Sequence, residues 1–112
     1  MMETDILLQR VVELIEDNIN EKLTIPYIAD NVYISSVHLQ RLFKQKCGIP
    51  IAAYIRTKKL QHAAEEIMYT NKKIDEISYE LEFGHESSFI RSFKREFGIT
   101  PSQMRKQGKL SA

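Results

Sequence analysis

One internal repeat constrains the fold of this 112-residue chain more than any other feature of its sequence. Residues 25–50 align with residues 74–101 at an offset of 49 that becomes 50 partway through. Ile25, Ile28, Val32 and Ile34 map onto Ile74, Ile77, Leu81 and Phe83 at the first offset. Leu39, Arg41, Phe43, Lys44, Gly48 and Ile49 map onto Phe89, Arg91, Phe93, Lys94, Gly98 and Ile99 at the second. Isolated apolar matches arise by chance, but a shared Arg-x-Phe-Lys-x-x-x-Gly-Ile tail does not. The extra residue is expected between Ser35 and Leu39, where a turn absorbs it at little cost.

Each copy reads as two helices. Ile25, Ile28, Ala29 and Val32 fall at i, i+3, i+4 and i+7, one stripe of a short helix that Thr24 can cap. Pro26 lies in its first turn, where the missing N–H is not needed. Ser35 or Ser36 can cap a second helix with Leu39, Leu42 and Phe43 inward, ended by Gly48. The second copy repeats the pattern with Ile74, Ile77, Ser78 and Leu81, then Phe89, Phe93 and Phe97, closed by Gly98. A short helix, a tight turn and a longer helix within about 22 residues describe a helix-turn-helix. A plain antiparallel hairpin gives no reason for an exposed Arg and Lys at matched places.

Three further helices complete an all-α reading of about seven helices, two helix-turn-helix subdomains joined by a long linker helix. Residues 4–20 are amphipathic, with Leu7, Leu8, Val11, Val12, Leu14, Ile15 and Ile19 apolar and the outer face acidic. Residues 51–69 form the linker, apolar at Ile51, Ala52, Ile55, Leu60, Ala63, Ala64, Ile67 and Met68. Asn71-Lys72-Lys73 is the turn into the second copy. Thr100-Pro101 starts a short last helix to about Lys106, and the polar tail from Gln107 is expected to fray. The whole chain is thus expected to be one domain: first subdomain 5–50, linker 51–70, second subdomain 71–106, tail 107–112.

Charge is distributed unevenly along the chain. Residues 1–31 carry seven acids against Arg10 and Lys22, a balance of −5, while the remaining 81 residues balance at +6. An acidic head on a basic body points to an anionic partner for the body. Enzyme chemistry has no foothold: there is no phosphate-binding glycine loop, no metal spacing among His38, His62 and His85, and one thiol, Cys47. No cofactor is implied. A single cysteine excludes an intrachain disulfide, and no apolar run reaches the roughly 20 residues needed to cross a bilayer. The acidic Met1-Met2-Glu3-Thr4-Asp5 start differs from a signal peptide, so a cytoplasmic protein with no membrane partner is expected.

The run Ile77-Ser78-Tyr79-Glu80-Leu81-Glu82-Phe83-Gly84-His85-Glu86-Ser87-Ser88-Phe89-Ile90-Arg91-Ser92-Phe93-Lys94-Arg95-Glu96-Phe97-Gly98-Ile99-Thr100-Pro101 resembles the C-terminal signature of AraC/XylS transcription regulators. The first copy, Ser35-Ser36-Val37-His38-Leu39-Gln40-Arg41-Leu42-Phe43-Lys44, is similar to the first reading helix of the MarA, SoxS and Rob branch. The likeness implies sequence-specific binding of double-stranded DNA by two recognition helices in successive major-groove segments. Such segments lie about 34 Å apart, and a linker helix of about 19 residues is about 28 Å long.

On a recognition helix the first turns and the outward stripe face base edges. In the first copy this selects Ser36, Val37, Gln40 and Arg41, with Gln40 suited to adenine, Arg41 to guanine and Val37 to a thymine methyl. In the second it selects His85, Glu86, Ser87, Ile90 and Arg91. Glu86 either accepts from cytosine N4 or serves only as an acid at a helix N-terminus. Phosphate contacts are expected from Lys44, Lys94 and Arg95, and from Arg56 or Lys58 on the linker. Two other readings stand beside this one: the reading head of a longer regulator with an effector-binding domain, and an all-α protein-interaction module. The acidic first helix is a candidate contact for RNA polymerase.

The family often has glycine where Tyr33 and Glu82 stand, and alanine where Ser78 stands. A left-handed backbone at either turn residue costs roughly 1 kcal/mol more than it does for glycine. Glu82→Gly is therefore expected to raise the melting temperature in thermal denaturation; a fall would show that Glu82 is unstrained.

Overall fold

The computed structural model describes residues 2–111, with side chains for residues 3–108. Seven helices occur among the described residues, with no strand between them. The chain divides into two compact units, Met1–Arg56 and Thr57–Ala112, each with its own buried apolar cluster.

The first unit contains α1 (Met2–Asp17), α2 (Ile25–Asn31), α3 (Ser36–Cys47) and the start of α4 (Ile51–Tyr69). Helix α1 stops at Asp17, short of the expected residue 20, because Asn18 ends it: its Nδ2 donates to the Leu14 carbonyl at 2.8 Å. Thr24 caps α2, its Oγ1 accepting from Tyr27 N at 3.2 Å, and Ser35 caps α3, its Oγ accepting from His38 N at 3.1 Å. Val11, Ile15, Ile28, Leu39, Phe43 and Ile51 form the buried centre of this unit. Tyr54 closes it, edge-on to Phe43 at 5.3 Å.

The second unit holds the rest of α4, then α5 (Ile74–Glu80), α6 (Glu86–Phe97) and α7 (Pro101–Ser111). Its centre is built from Leu60, Ala63, Ile67, Ile77, Leu81, Phe89 and Phe93. Four phenylalanines stack through it, with centroid spacings of 5.3 Å for Phe83–Phe89, 5.8 Å for Phe89–Phe93 and 4.6 Å for Phe93–Phe97. Truncating such a buried ring costs about 3–5 kcal/mol. On α4, Ala52 and Met68 are exposed rather than inward.

Both helix-turn-helix turns close in the same way at and just after their left-handed residue. Tyr33 (φ 60°) and Glu82 (φ 57°) are left-handed, as the departures from glycine imply. The next residue reaches back five positions, Ile34 N to Ala29 O at 3.2 Å and Phe83 N to Ser78 O at 3.1 Å, as in a Schellman ending. The extra residue of the second copy is Gly84 (φ 87°), lying before the cap His85. It does not fall after Ser35 as expected, because Ser35 and His85 occupy the same cap position and the helices beyond them are in register. A Cβ at Gly84 would meet nothing within 4 Å, so backbone conformation alone calls for glycine there.

Helix α7 runs on to Ser111, past the end expected near Lys106. Its start is a reciprocal capping box, in which Thr100 Oγ1 accepts from Gln103 N at 3.2 Å and Gln103 Oε1 accepts from Thr100 N at 2.8 Å. Beyond Lys106 the only poor helix former before Ser111 is Gly108, and one glycine costs about 1 kcal/mol.

The buried Ser78 hydroxyl is left unsatisfied among the described residues. Ser78 is 1% exposed and its Oγ has no hydrogen-bond partner among the described residues. An unpaired buried hydroxyl costs about 1–3 kcal/mol. Ser78→Ala should therefore raise unfolding free energy by about 1 kcal/mol in chemical denaturation; destabilisation would mean the hydroxyl has found a partner.

Candidate nucleic-acid interface

Leu39 and Phe43 are fully buried and turn α3 so that its opposite stripe faces solvent. That stripe carries Val37 (64% exposed), Gln40, Arg41 and Lys44, while Ser36 is half-buried beside the cap. The side chains of Gln40, Arg41 and Lys44 make no hydrogen bond or ion pair among the described residues, so their polar atoms are open to a ligand. No acidic residue occurs on α3, whose charged residues are Arg41, Lys44 and Lys46.

Phe89 and Phe93 anchor α6 in the same way, leaving Glu86, Ser87, Arg91, Lys94 and Arg95 exposed, with the cap residue His85 exposed ahead of them. Ile90 departs from the expected outward position. It is half-buried and packs against the core, because Ile90, Phe93 and Phe97 fall at i, i+3 and i+7 along one shoulder of the helix. His85 supplies no side-chain cap, and Glu86 is the acid in the first turn of α6. A carboxylate there favours the helix N-terminus whatever it meets outside. The two exposed surfaces are unequal: α3 carries no acid, whereas α6 begins with a carboxylate.

Of the two linker candidates, Arg56 is exposed and Lys58 is half-buried with a contact of its own. The neighbouring Lys59 turns inward at 8% exposure and donates its Nζ to the Leu81 carbonyl at 2.7 Å. Burial pushes the Lys59 ammonium below the ordinary lysine range, and the Glu82 carboxylate pulls it back up. Lys59 thus holds the carbonyl that ends α5, one residue before the left-handed Glu82. A periodic signal pointed to it: Ile55, Lys59 and Ala63 fall at i, i+4 and i+8 on the inward stripe.

Arg105 on α7 also went unread in the sequence. Its Nε donates to Ile67 O at 3.1 Å and its Nη2 to Thr70 O at 3.4 Å, satisfying carbonyls at the end of α4. Lys72 bridges Glu80 (3.0 Å) and Glu66 (3.4 Å), and hydrogen bonding to Glu80 raises its pKa first of all. These contacts set the α4–α5 connection that precedes the second turn. No group of His, Cys, Asp or Glu suited to a metal ion occurs among the described residues, and none of their helices is long and apolar enough to cross a membrane.

Residues 28–107 match the helix-turn-helix domain family. The chain is 38% identical over 92 residues to the transposon Tn10 TetD protein of Escherichia coli, covering 82% of this chain and 67% of that protein. The chain belongs to the AraC-type helix-turn-helix family. To the HTH-type transcriptional activator AarP of Providencia stuartii it is 32% identical, over 88% of this chain and 73% of AarP. A crystal structure of an AraC-type DNA-binding transcriptional regulator from Chromobacterium violaceum superposes with a TM-score of 0.88 at 31% identity, covering 96% of each chain. As an AraC-type domain the chain is a DNA-binding transcriptional regulator.

Removing a bidentate base contact costs about 1–3 kcal/mol. Arg41→Ala or Arg91→Ala should weaken binding to one selected duplex by that amount and relax preference at one or two base pairs. An equal loss on every sequence would reassign the side chain to phosphate.

Proposed function

We propose that this protein reads double-stranded DNA in a sequence-dependent way, placing α3 and α6 each in a major-groove segment. The observation that carries this reading is the pair Gln40 and Arg41, exposed and without partners among the described residues, on a helix whose inner face is locked by Leu39 and Phe43. Rigid anchoring matters because a side chain discriminates bases only if its fork arrives in one geometry. Val37 meets thymine methyls and Ser36 lies at the entry to the groove. On α6, His85, Ser87 and Arg91 take the corresponding places. Ile90 contributes only its exposed edge, and Glu86 favours cytosine where it faces a base.

Lys44, Lys94, Arg95 and Arg56 hold phosphates, with Lys58 a weaker contributor because it is half-buried. The first unit is the anchor of specificity, since its reading helix carries no carboxylate. DNA binding of this kind needs no cofactor or covalent chemistry, and a cytoplasmic location belongs to the same reading. On α1 the exposed Glu3, Asp5, Glu13, Glu16 and Asp17 form an acidic face away from the buried Val11 and Ile15. That face favours a protein contact, and RNA polymerase is the partner we assign to it. Attachment to an effector-binding domain in a longer regulator is compatible with the same reading head.

Selection of duplexes from a random pool, followed by a salt series on the winner, tests the function. Affinity should exceed that for random duplex and fall steeply with salt, losing about tenfold or more between 50 and 200 mM. Absence of binding at low salt would end the DNA reading and leave an all-α protein-interaction module.

A further inference from the structure

The two left-handed turn residues are not equivalent. Glu82 has a local reason to be charged, because it lies close enough to the buried Lys59 to draw its pKa upward. Tyr33 has no such reason. It is 93% exposed, its φ is 60°, and its side chain makes no hydrogen bond or ring contact among the described residues. Only its backbone is engaged, Tyr33 N donating to Asp30 O at 3.3 Å. A bulky aromatic in the left-handed region is disfavoured, and exposing its ring gains nothing from the fold.

We propose that Tyr33 is a DNA-backbone contact, its ring lying against a sugar and its phenol donating to a phosphate beside the groove that α3 enters. The inference rests on the DNA-binding reading above. Tyr33 stands two residues before Ser35, the cap of α3, and Val37, the other large exposed apolar side chain at this end, stands two residues after it. The N-terminal turns of a recognition helix enter the major groove, so the residues leading into them pass the groove's sugar-phosphate wall. Tyrosine hydroxyls are ordinary phosphate donors. Charge agrees with an anionic partner, since Arg41, Lys44 and Lys46 are the charged residues of α3 and none is acidic.

Such a contact carries register rather than sequence information, and this gives it a signature. Tyr33→Gly relieves the backbone and removes the contact, so the melting temperature should rise while affinity for the selected duplex falls about fivefold, the worth of one hydrogen bond. The loss should be equal for duplexes changed at base pairs under α3. Tyr33→Asn, which also tolerates the left-handed region, should show the same loss with its folding intact. Wild-type protein that binds the selected duplex no more tightly than Tyr33→Gly does would overturn the assignment while leaving DNA binding in place. Wild-type protein that selects no duplex would remove both. An unchanged dissociation constant with lost transcriptional activity would give Tyr33 to a protein partner and overturn the proposal equally.

Discussion

Each unit depends on one residue held in the left-handed region between two helices. The turn it makes is closed by a bond five residues back, from Ile34 to Ala29 and from Phe83 to Ser78. That closure drives an apolar side chain, Ile34 or Phe83, back onto the core straight after the reversal. With both ends of the turn tied down, the reading helix can leave it in only a narrow range of directions. The buried pairs Leu39 with Phe43 and Phe89 with Phe93 then set its rotation about its own axis. The outward aim of each helix follows from a backbone dihedral and two buried side chains per unit, and needs nothing from a ligand.

Features written in local periodicity were legible in the sequence. The repeat, the caps Thr24 and Ser35, the two left-handed turn residues and the exposed stripe of α3 all arise from neighbours within one or two turns. Contacts made by long polar side chains across the fold were not. Lys59 reaches Leu81 over 22 positions, and Arg105 reaches Ile67 over 38. Periodicity can set the stem of a lysine or arginine on an inward stripe, as for Lys59, but does not say which distant carbonyl its head reaches. The half-burial of Ile90 is illegible for a related reason: on a helix shoulder, burial depends on what lies opposite. The place of the Gly84 insertion is illegible too, because apolar matching cannot say on which side of a cap an extra residue falls.

The units solve the same problem with different chemistry. In the first, Ser35 caps the reading helix with its own hydroxyl, and no acid interrupts the outward face of that helix. The second has no side-chain cap at His85, places Glu86 in the first turn, and secures the preceding helix end with the buried Lys59 amine. A lysine amine that loses its proton still donates, so that bond does not depend on the ammonium charge that burial disfavours. Phenylalanine stacking through the second core supplies rigidity that α6 does not obtain from its cap.

Gly84 marks the position at which the two copies of the turn differ in chain length. Its extra residue lies wholly outside α5 and α6, with open space where a side chain would be. For protein engineering, this joint is an adjustment screw. Turns of different length grafted between Phe83 and His85 would re-aim α6 without altering any residue of its exposed stripe, making the aim of the helix tunable separately from the chemistry it displays.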